Sequence, residues 1–134
     1  MEHHSKSREI YWSHMPGVKI VIPSGPQNAR ALLVSAIRDP DPVIFYEAKA
    51  LYRAFREEVP EEETLPIGES QIVRKGDDLT IIFAGDMMRP TLEAASRLAE
   101  KENIEAEVID ALQPFIFLLQ TFKLACGSEL IIPE

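Results

Sequence analysis

The chain reads as an α/β protein, and three observations predict this. Short β-branched runs end in proline or glycine turns, and amphipathic segments with helical spacing lie between them. The order strand, helix, strand also occurs twice, which is the pattern of βαβ units. At 134 residues the chain suits one ordinary domain rather than two full ones.

The first run is Val18-Lys19-Ile20-Val21-Ile22, closed by Pro23-Ser24-Gly25-Pro26, as a buried strand ending in a turn would be. From Pro26 to Arg38 the apolar residues Ala29, Leu32, Leu33, Ala36 and Ile37 recur at helical spacing. Proline is tolerated in the first turn, and Ser24 is the candidate cap. The segment Asp39-Pro40-Asp41-Pro42 must end that helix, because proline lacks a donor and drives the preceding residue out of the helical region. Val43 to Tyr46 then reads as a second strand, parallel to the first through a right-handed crossover.

Between Arg56 and Gly68 the sequence REEVPEEETLPIG holds five glutamates and two prolines, which suits a solvated connection. A domain boundary is expected there. Beyond it come strands at Gln71–Arg74 and Leu79–Ala84, a helix from about Arg89 to Glu102 with Leu92, Ala95 and Ala99 on one face, and a strand from Ile104 to Asp110. The expected division is 1–56, an acidic linker 57–68, 69–112, and a tail 113–134 whose structure the pattern leaves open. Each α/β piece has too few strands for a full sheet covered on both faces, so uncovered edges and either an oligomer or a poorly stable chain are expected.

Composition narrows the function. Fourteen basic against 22 acidic residues give a formal charge of -8, without a basic cluster or interleaved aromatics. This argues against nucleic acid and anionic membranes as partners. The apolar stretch Phe115–Cys126 is broken by Gln120 and Lys123 and is too short to span a bilayer. A single cysteine, Cys126, cannot form an internal disulfide, and no secretion signal opens the sequence. The expected compartment is the cytoplasm.

Few residues present chemistry outright. His3, His4 and His14 lie in the first fifteen residues, with no cysteine or carboxylate cluster to complete a zinc set. They read equally as mobile terminal residues. Gly76-Asp77 and Gly85-Asp86 belong to no phosphate-binding loop and read as turns. Asp39 and Asp41 follow a helix C-terminus, where free carbonyls and carboxylates could gather around a hard cation, although a charged turn is the usual case.

The succession HHSKS, SHMPGVKIVIPSGPQNARALLVSAIRDPDPVIFYEAKALYR, EEVPEEE and LPIGESQIVRKGDDLTIIFAG resembles the beta subunit of the thiamine diphosphate-dependent, decarboxylating component of pyruvate and branched-chain 2-oxo acid dehydrogenases. The resemblance runs from Glu2 to about Asp110 and is most specific from Pro16 to Arg53. It implies the end of a transketolase-like pyrimidine-binding domain, followed by the start of a transketolase C-terminal-type α/β domain. A transketolase or synthase sharing the pyrimidine-binding fold suits HHSKS and IRDPDPVIFYEAK less well.

In that family a histidine before a serine, in a segment of the form HSQS, reaches the cofactor and 2-oxo acid from the beta side. The resemblance puts His4 there, as proton donor or electrostatic partner, with Lys6 where glutamine is usual. It also implies a potassium site at the end of the first long helix, on Ala36, Asp39 and Asp41, the last often asparagine in relatives. The family's catalytic glutamate lies upstream of the histidine segment, and its magnesium–diphosphate motif belongs to the alpha subunit. The segment Asp110-Ala111-Leu112-Gln113-Pro114 lacks the arginine and threonine of the family's DLRTLxP, and residues 115–134 do not align.

The implied cofactors are thiamine diphosphate with magnesium, shared with an alpha subunit, and potassium. The implied partners are that alpha subunit and the acyltransferase core, in a homo- or hetero-oligomer. The expectation is a beta-subunit fragment inactive alone, and the alternative is a non-catalytic remnant or subunit-interaction module.

Overall fold

The computed structural model describes residues 8–13, 15–60 and 64–112. Its regular elements are α1 (Glu9–Ser13), β1 (Lys19–Val21), α2 (Pro26–Arg38), β2 (Val43–Phe45), β3 (Gln71–Arg74), β4 (Leu79–Phe83), α3 (Met88–Glu102) and β5 (Ala106–Asp110). Single 3-10 turns at Lys49–Leu51 and Gly85–Met87 complete them. The architecture is α/β, and both long helices fall where the apolar spacing puts them. The polar start gives no periodic signal for α1, which the sequence reading omits.

In the first half β1 and β2 pair in parallel, Lys19 opposite Val43 and Val21 opposite Phe45. The crossover is α2, which buries Ala31 and Leu32 completely. In the second half three strands lie in the order β3-β5-β4. The pair β4 and β5 is parallel, Ile81 opposite Val108, with α3 as the connection. Strand β3 runs antiparallel to β5, with an irregular register between Ile72 and Arg74. Asn103, in the left-handed region (φ 54), stops α3, and the Ile104 N–H reaches back to the Leu98 carbonyl at 3.3 Å.

Among the described residues two apolar clusters hold these pieces. Phe83, Ala95, Ala106 and Val108 form one, with Ile81, Met88 and Leu92 against it, so α3 seals one face of the three-stranded sheet. The other joins Val21 and Leu32 of the first half to Leu112 of the second, with Val43, Phe45, Leu65 and Ile67 packed around them. Leu65 and Ile67 belong to the stretch read as a solvated connection. Its glutamates mask two apolar residues that the core recruits.

Further contacts tie the halves together. The Ile22 N–H donates to the Leu112 carbonyl at 2.8 Å. Arg89 lies 5.3 Å from the centre of the Phe55 ring and donates to the Ala54 carbonyl at 3.4 Å. Gly85 has φ 62, and a side chain there would meet Ile22 Cγ2 at 2.8 Å. Much apolar surface nonetheless stays uncovered, including Leu33 and Ile37 on α2, Ile72 and Val73 on β3, and Leu79 and Ile82 on β4.

Candidate functional site

His4 lies outside the described residues, as do His3, His14 and Cys126. The residues expected to hold potassium fall at the end of α2, with Ala36 in its last turn and Asp39 as its C-cap in extended conformation. The following proline, Pro40, forces that conformation on Asp39. Asp39 Oδ1 accepts the Asp41 N–H at 2.9 Å, which folds the turn over itself. The structure thus brings Asp39 and Asp41 together.

What meets them is a cation the sequence reading did not connect to the turn. The Lys19 ammonium, at the start of β1, lies 2.8 Å from Asp39 Oδ1, 2.9 Å from Asp39 Oδ2 and 3.0 Å from Asp41 Oδ2. The parallel register places Lys19 opposite Val43, just past the turn, and the Lys19 N–H donates to the Pro42 carbonyl at 3.0 Å. The bond to Asp39, then that to Asp41, raises the pKa of Lys19 above the usual lysine value. The bond to Lys19, then the Asp41 N–H, holds Asp39 below the usual carboxylate range. Among the described residues no group of three or more histidines, cysteines and carboxylates is arranged to hold a metal ion.

A cavity of about 210 Å³ opens beside the start of α2, walled by Pro23, Pro26, Ala29 and Leu51. Its polar corner is Tyr52, whose hydroxyl donates to Glu47 Oε2 at 2.8 Å. That bond, with the adjacent charge of Glu47, pushes the Tyr52 pKa upward.

Among the described residues one buried acid stands apart: Asp110, at the end of β5. It is fully buried, as is Ser24 on the other half of the chain. The Ser24 hydroxyl and Asp110 Oδ2 share a short hydrogen bond. Asn28 Nδ2 donates to Ser24 Oγ at 2.7 Å and to Asp110 Oδ2 at 3.3 Å, and the Leu112 N–H donates to Asp110 Oδ1 at 3.1 Å. Burial pushes the Asp110 pKa up to about 6 against the pull of these three donors.

This arrangement corrects the expected role of Ser24. The N-cap of α2 is Gly25, and Asn28 Oδ1 takes the Ser24 and Gly25 N–H groups at 3.0 Å each. Asn28 therefore closes the start of the helix, the Gln27 N–H goes to Glu57 Oε2, and the Ser24 hydroxyl bonds Asp110 instead. Nothing in the local pattern marks Asp110 as special, since it ends a strand and its side-chain partners, Ser24 and Asn28, lie more than 80 positions away.

Comparison with known proteins gives these sites a setting. The family described as transketolase, pyrimidine binding domain, matches residues 1–54, and transketolase, C-terminal domain, matches residues 68–134. The pyruvate dehydrogenase E1 component subunit beta of Bacillus subtilis is 52% identical over 110 residues, covering 81% of this chain and 34% of that protein. The mitochondrial 2-oxoisovalerate dehydrogenase subunit beta of Dictyostelium discoideum is 47% identical over 116 residues, covering 84% of this chain and 31% of that protein. The chain thus spans about a third of the length of the curated relatives it matches.

Among solved structures, a split gene transketolase described as an inactive beta4 tetramer superposes with a TM-score of 0.60 at 24% identity, over 78% of this chain and 34% of that one. A transketolase mutant from Pichia stipitis superposes with a TM-score of 0.61 at 19% identity, over 81% of this chain and 16% of that one. At these identities the likeness is one of fold.

Proposed function

Since this chain belongs to the transketolase family, on the branch of the 2-oxo acid dehydrogenase beta subunits, we propose that it acts as the beta-side part of a thiamine diphosphate-dependent 2-oxo acid decarboxylating component. The observation that carries this reading is the 52% identity with a pyruvate dehydrogenase beta subunit across 110 residues. In this reading the chain pairs with an alpha subunit, the acyl group passes to a lipoyl carrier on the acyltransferase core, and the substrate is pyruvate or a branched-chain 2-oxo acid. It works in the cytoplasm, and among the described residues no helix is long and apolar enough to cross a membrane.

The described residues do not fit the magnesium–diphosphate end of the cofactor. Among them no group of three or more histidines, cysteines and carboxylates is arranged to hold a metal ion, and in this reading the alpha subunit binds that end. Thiamine diphosphate, when bound, supplies the carbanion chemistry of decarboxylation. From this chain His4 is the donor, a side chain whose ordinary pKa allows it to give and regain a proton near neutrality.

The turn of Ala36, Asp39 and Asp41 is the potassium site in this reading. Its support is the pair of carboxylates already gathered around one monovalent cationic group, the Lys19 ammonium. Potassium would share the turn with Lys19 or displace it. The division 1–56, 57–68, 69–112 and 113–134 follows the same reading, and the uncovered apolar residues of α2, β3 and β4 supply surface for partner chains.

A second reading is a subunit-interaction module without catalysis, and its support is the exposed apolar residues of α2, β3 and β4. One experiment separates the two. The chain is mixed with the alpha subunit of its organism, with thiamine diphosphate, magnesium and potassium present. Mass by light scattering and 2-oxo acid decarboxylation are then measured. A mixed complex that decarboxylates supports the enzyme reading, a mixed complex without turnover supports the interaction module, and no complex refutes both.

A further inference from the structure

The junction between the two halves is built around an acid where an apolar residue or a salt bridge would be the ordinary choice. Asp110 is the last residue of β5, and no part of it reaches solvent. The donors that meet its carboxyl are all neutral: the Ser24 hydroxyl, the Asn28 amide and the Leu112 N–H. Two of them come from the first half of the chain and sit at the start of α2. A buried carboxylate with only neutral donors keeps much of its desolvation penalty, whereas a carboxyl group that holds its proton does not.

The network accepts that proton without rearrangement. Ser24 Oγ already takes a hydrogen bond from Asn28 Nδ2, at 2.7 Å, and has a lone pair to spare. With Asp110 protonated, its O–H donates to Ser24 Oγ, and the Ser24 O–H turns to Met88 Sδ, 3.5 Å away. With Asp110 ionised, the Ser24 O–H must point back at the carboxylate and Met88 loses its donor. The same heavy atoms serve both states, and only the ionised one buries a charge.

Among the described residues that line its surroundings, none brings a cation to that charge. Beside the cluster lies a small cavity of about 150 Å³, lined by residues of both halves. Its other ionisable lining side chain is Glu57, which accepts the Gln27 N–H at 3.1 Å and adds a second negative group. Gln27, Asn28 and Gln71 line it as neutral amides. Arg89, a cation that joins the halves, is engaged with Phe55 and the Ala54 carbonyl.

We propose that Asp110, Ser24 and Asn28 form a proton-operated latch, which holds the two halves of the chain together more tightly when Asp110 is protonated than when it is ionised. The latch sits between two cross-half contacts, the Ile22 N–H to Leu112 carbonyl bond and the packing of Leu112 on Val21 and Leu32. Loss of the proton therefore weakens the fastening at its centre.

The sign follows from the two proton affinities. Opening the junction returns Asp110 to water, where its pKa is the ordinary 3.8, against about 6 when closed. Closure is fully favoured below the lower value, loses ground as pH rises between the two, and levels off above the higher one.

The Ile22 N–H tests this directly, because its hydrogen bond exists only while the halves are closed. Its exchange protection in the full chain, corrected for the intrinsic pH dependence of exchange, is compared with that of the β4–β5 ladder. Between about pH 4.5 and about pH 7.5, protection at Ile22 should fall by a factor on the order of 10 to 100 relative to the ladder. In Asp110→Asn it should be flat. Equal pH profiles in the two chains, or no fall in the wild type, overturn the latch. A carbon NMR titration of the unaltered chain gives an answer that no variant's misfolding can blur. An Asp110 carboxyl titrating near 6 supports the latch, and one titrating in the ordinary aspartate range removes it.

Discussion

Leu112 carries a buried apolar contact between the two halves, and its replacement is a sharp test of how they are joined. Its side chain is 1% exposed and packs on Val21 and Leu32, with Leu65 and Ile67 alongside. Leu112→Ala removes three buried carbons from a site whose walls belong to different elements. Large-to-small changes of this kind cost roughly 2 to 5 kcal/mol, so about 3 kcal/mol is expected. The backbone adds a second, independent number. Leu112 has φ 54, a left-handed conformation that costs a residue with a Cβ roughly 1 to 2 kcal/mol and glycine almost nothing. Leu112→Gly should therefore be the milder substitution, by about 1 kcal/mol, although it removes one carbon more. Urea unfolding of the three chains, compared by midpoint and slope, measures both quantities. A loss below about 1 kcal/mol for Leu112→Ala would mean that the halves are not joined through this side chain. A glycine variant less stable than the alanine variant would refute the backbone argument.

Gly76→Ala should destabilise the second half by about 1 to 3 kcal/mol, because the new Cβ would lie 2.3 Å from the Ala106 carbonyl carbon and 2.5 Å from Glu105 O and Glu107 N. These are backbone atoms that cannot swing aside, so an unchanged melting temperature would show that the turn before β4 does not approach β5 this closely. Potassium should raise the melting temperature more than lithium at equal ionic strength, and Lys19→Met, which clears the ammonium from Asp39 and Asp41, should enlarge that difference. No distinction between the two ions in either chain would remove the turn as a potassium site. In the complex with an alpha subunit, His4→Ala should lower decarboxylation by roughly 10²- to 10⁴-fold with the mass of the complex unchanged. Activity within a factor of about two of the unaltered chain would take His4 out of the chemistry.

Much of the fold is readable from local pattern, for a physical reason. A helix with one buried face repeats apolar residues every three or four positions, and proline stops it wherever it occurs. Hence α2 and α3 lie where Leu32 and Ala95 put them, and Asp39-Pro40-Asp41-Pro42 separates α2 from β2. The turn itself was legible as a cluster of carboxylates. That Lys19 fills it was not, because the contact spans twenty positions and depends on the register of two parallel strands.

The junction lay further out of reach. Leu65 and Ile67 sit in a glutamate-rich, proline-containing stretch, where composition outweighs two apolar residues until a core is present to receive them. Ser24 has the residue type of a helix cap, but Gly25 holds the cap position, the Gln27 N–H goes to Glu57 Oε2, and the Ser24 hydroxyl bonds Asp110.

By itself the sequence determined the α/β class, the places of both long helices, the turn that ends α2 and the family resemblance, since each is encoded within a few turns of chain or a contiguous string of residues. The tertiary structure decided the order β3-β5-β4, the antiparallel entry of β3, the ammonium between two aspartates and the buried acid at the junction. Periodicity tells a residue that it will be buried, but the partner it is buried against is chosen only when distant segments meet.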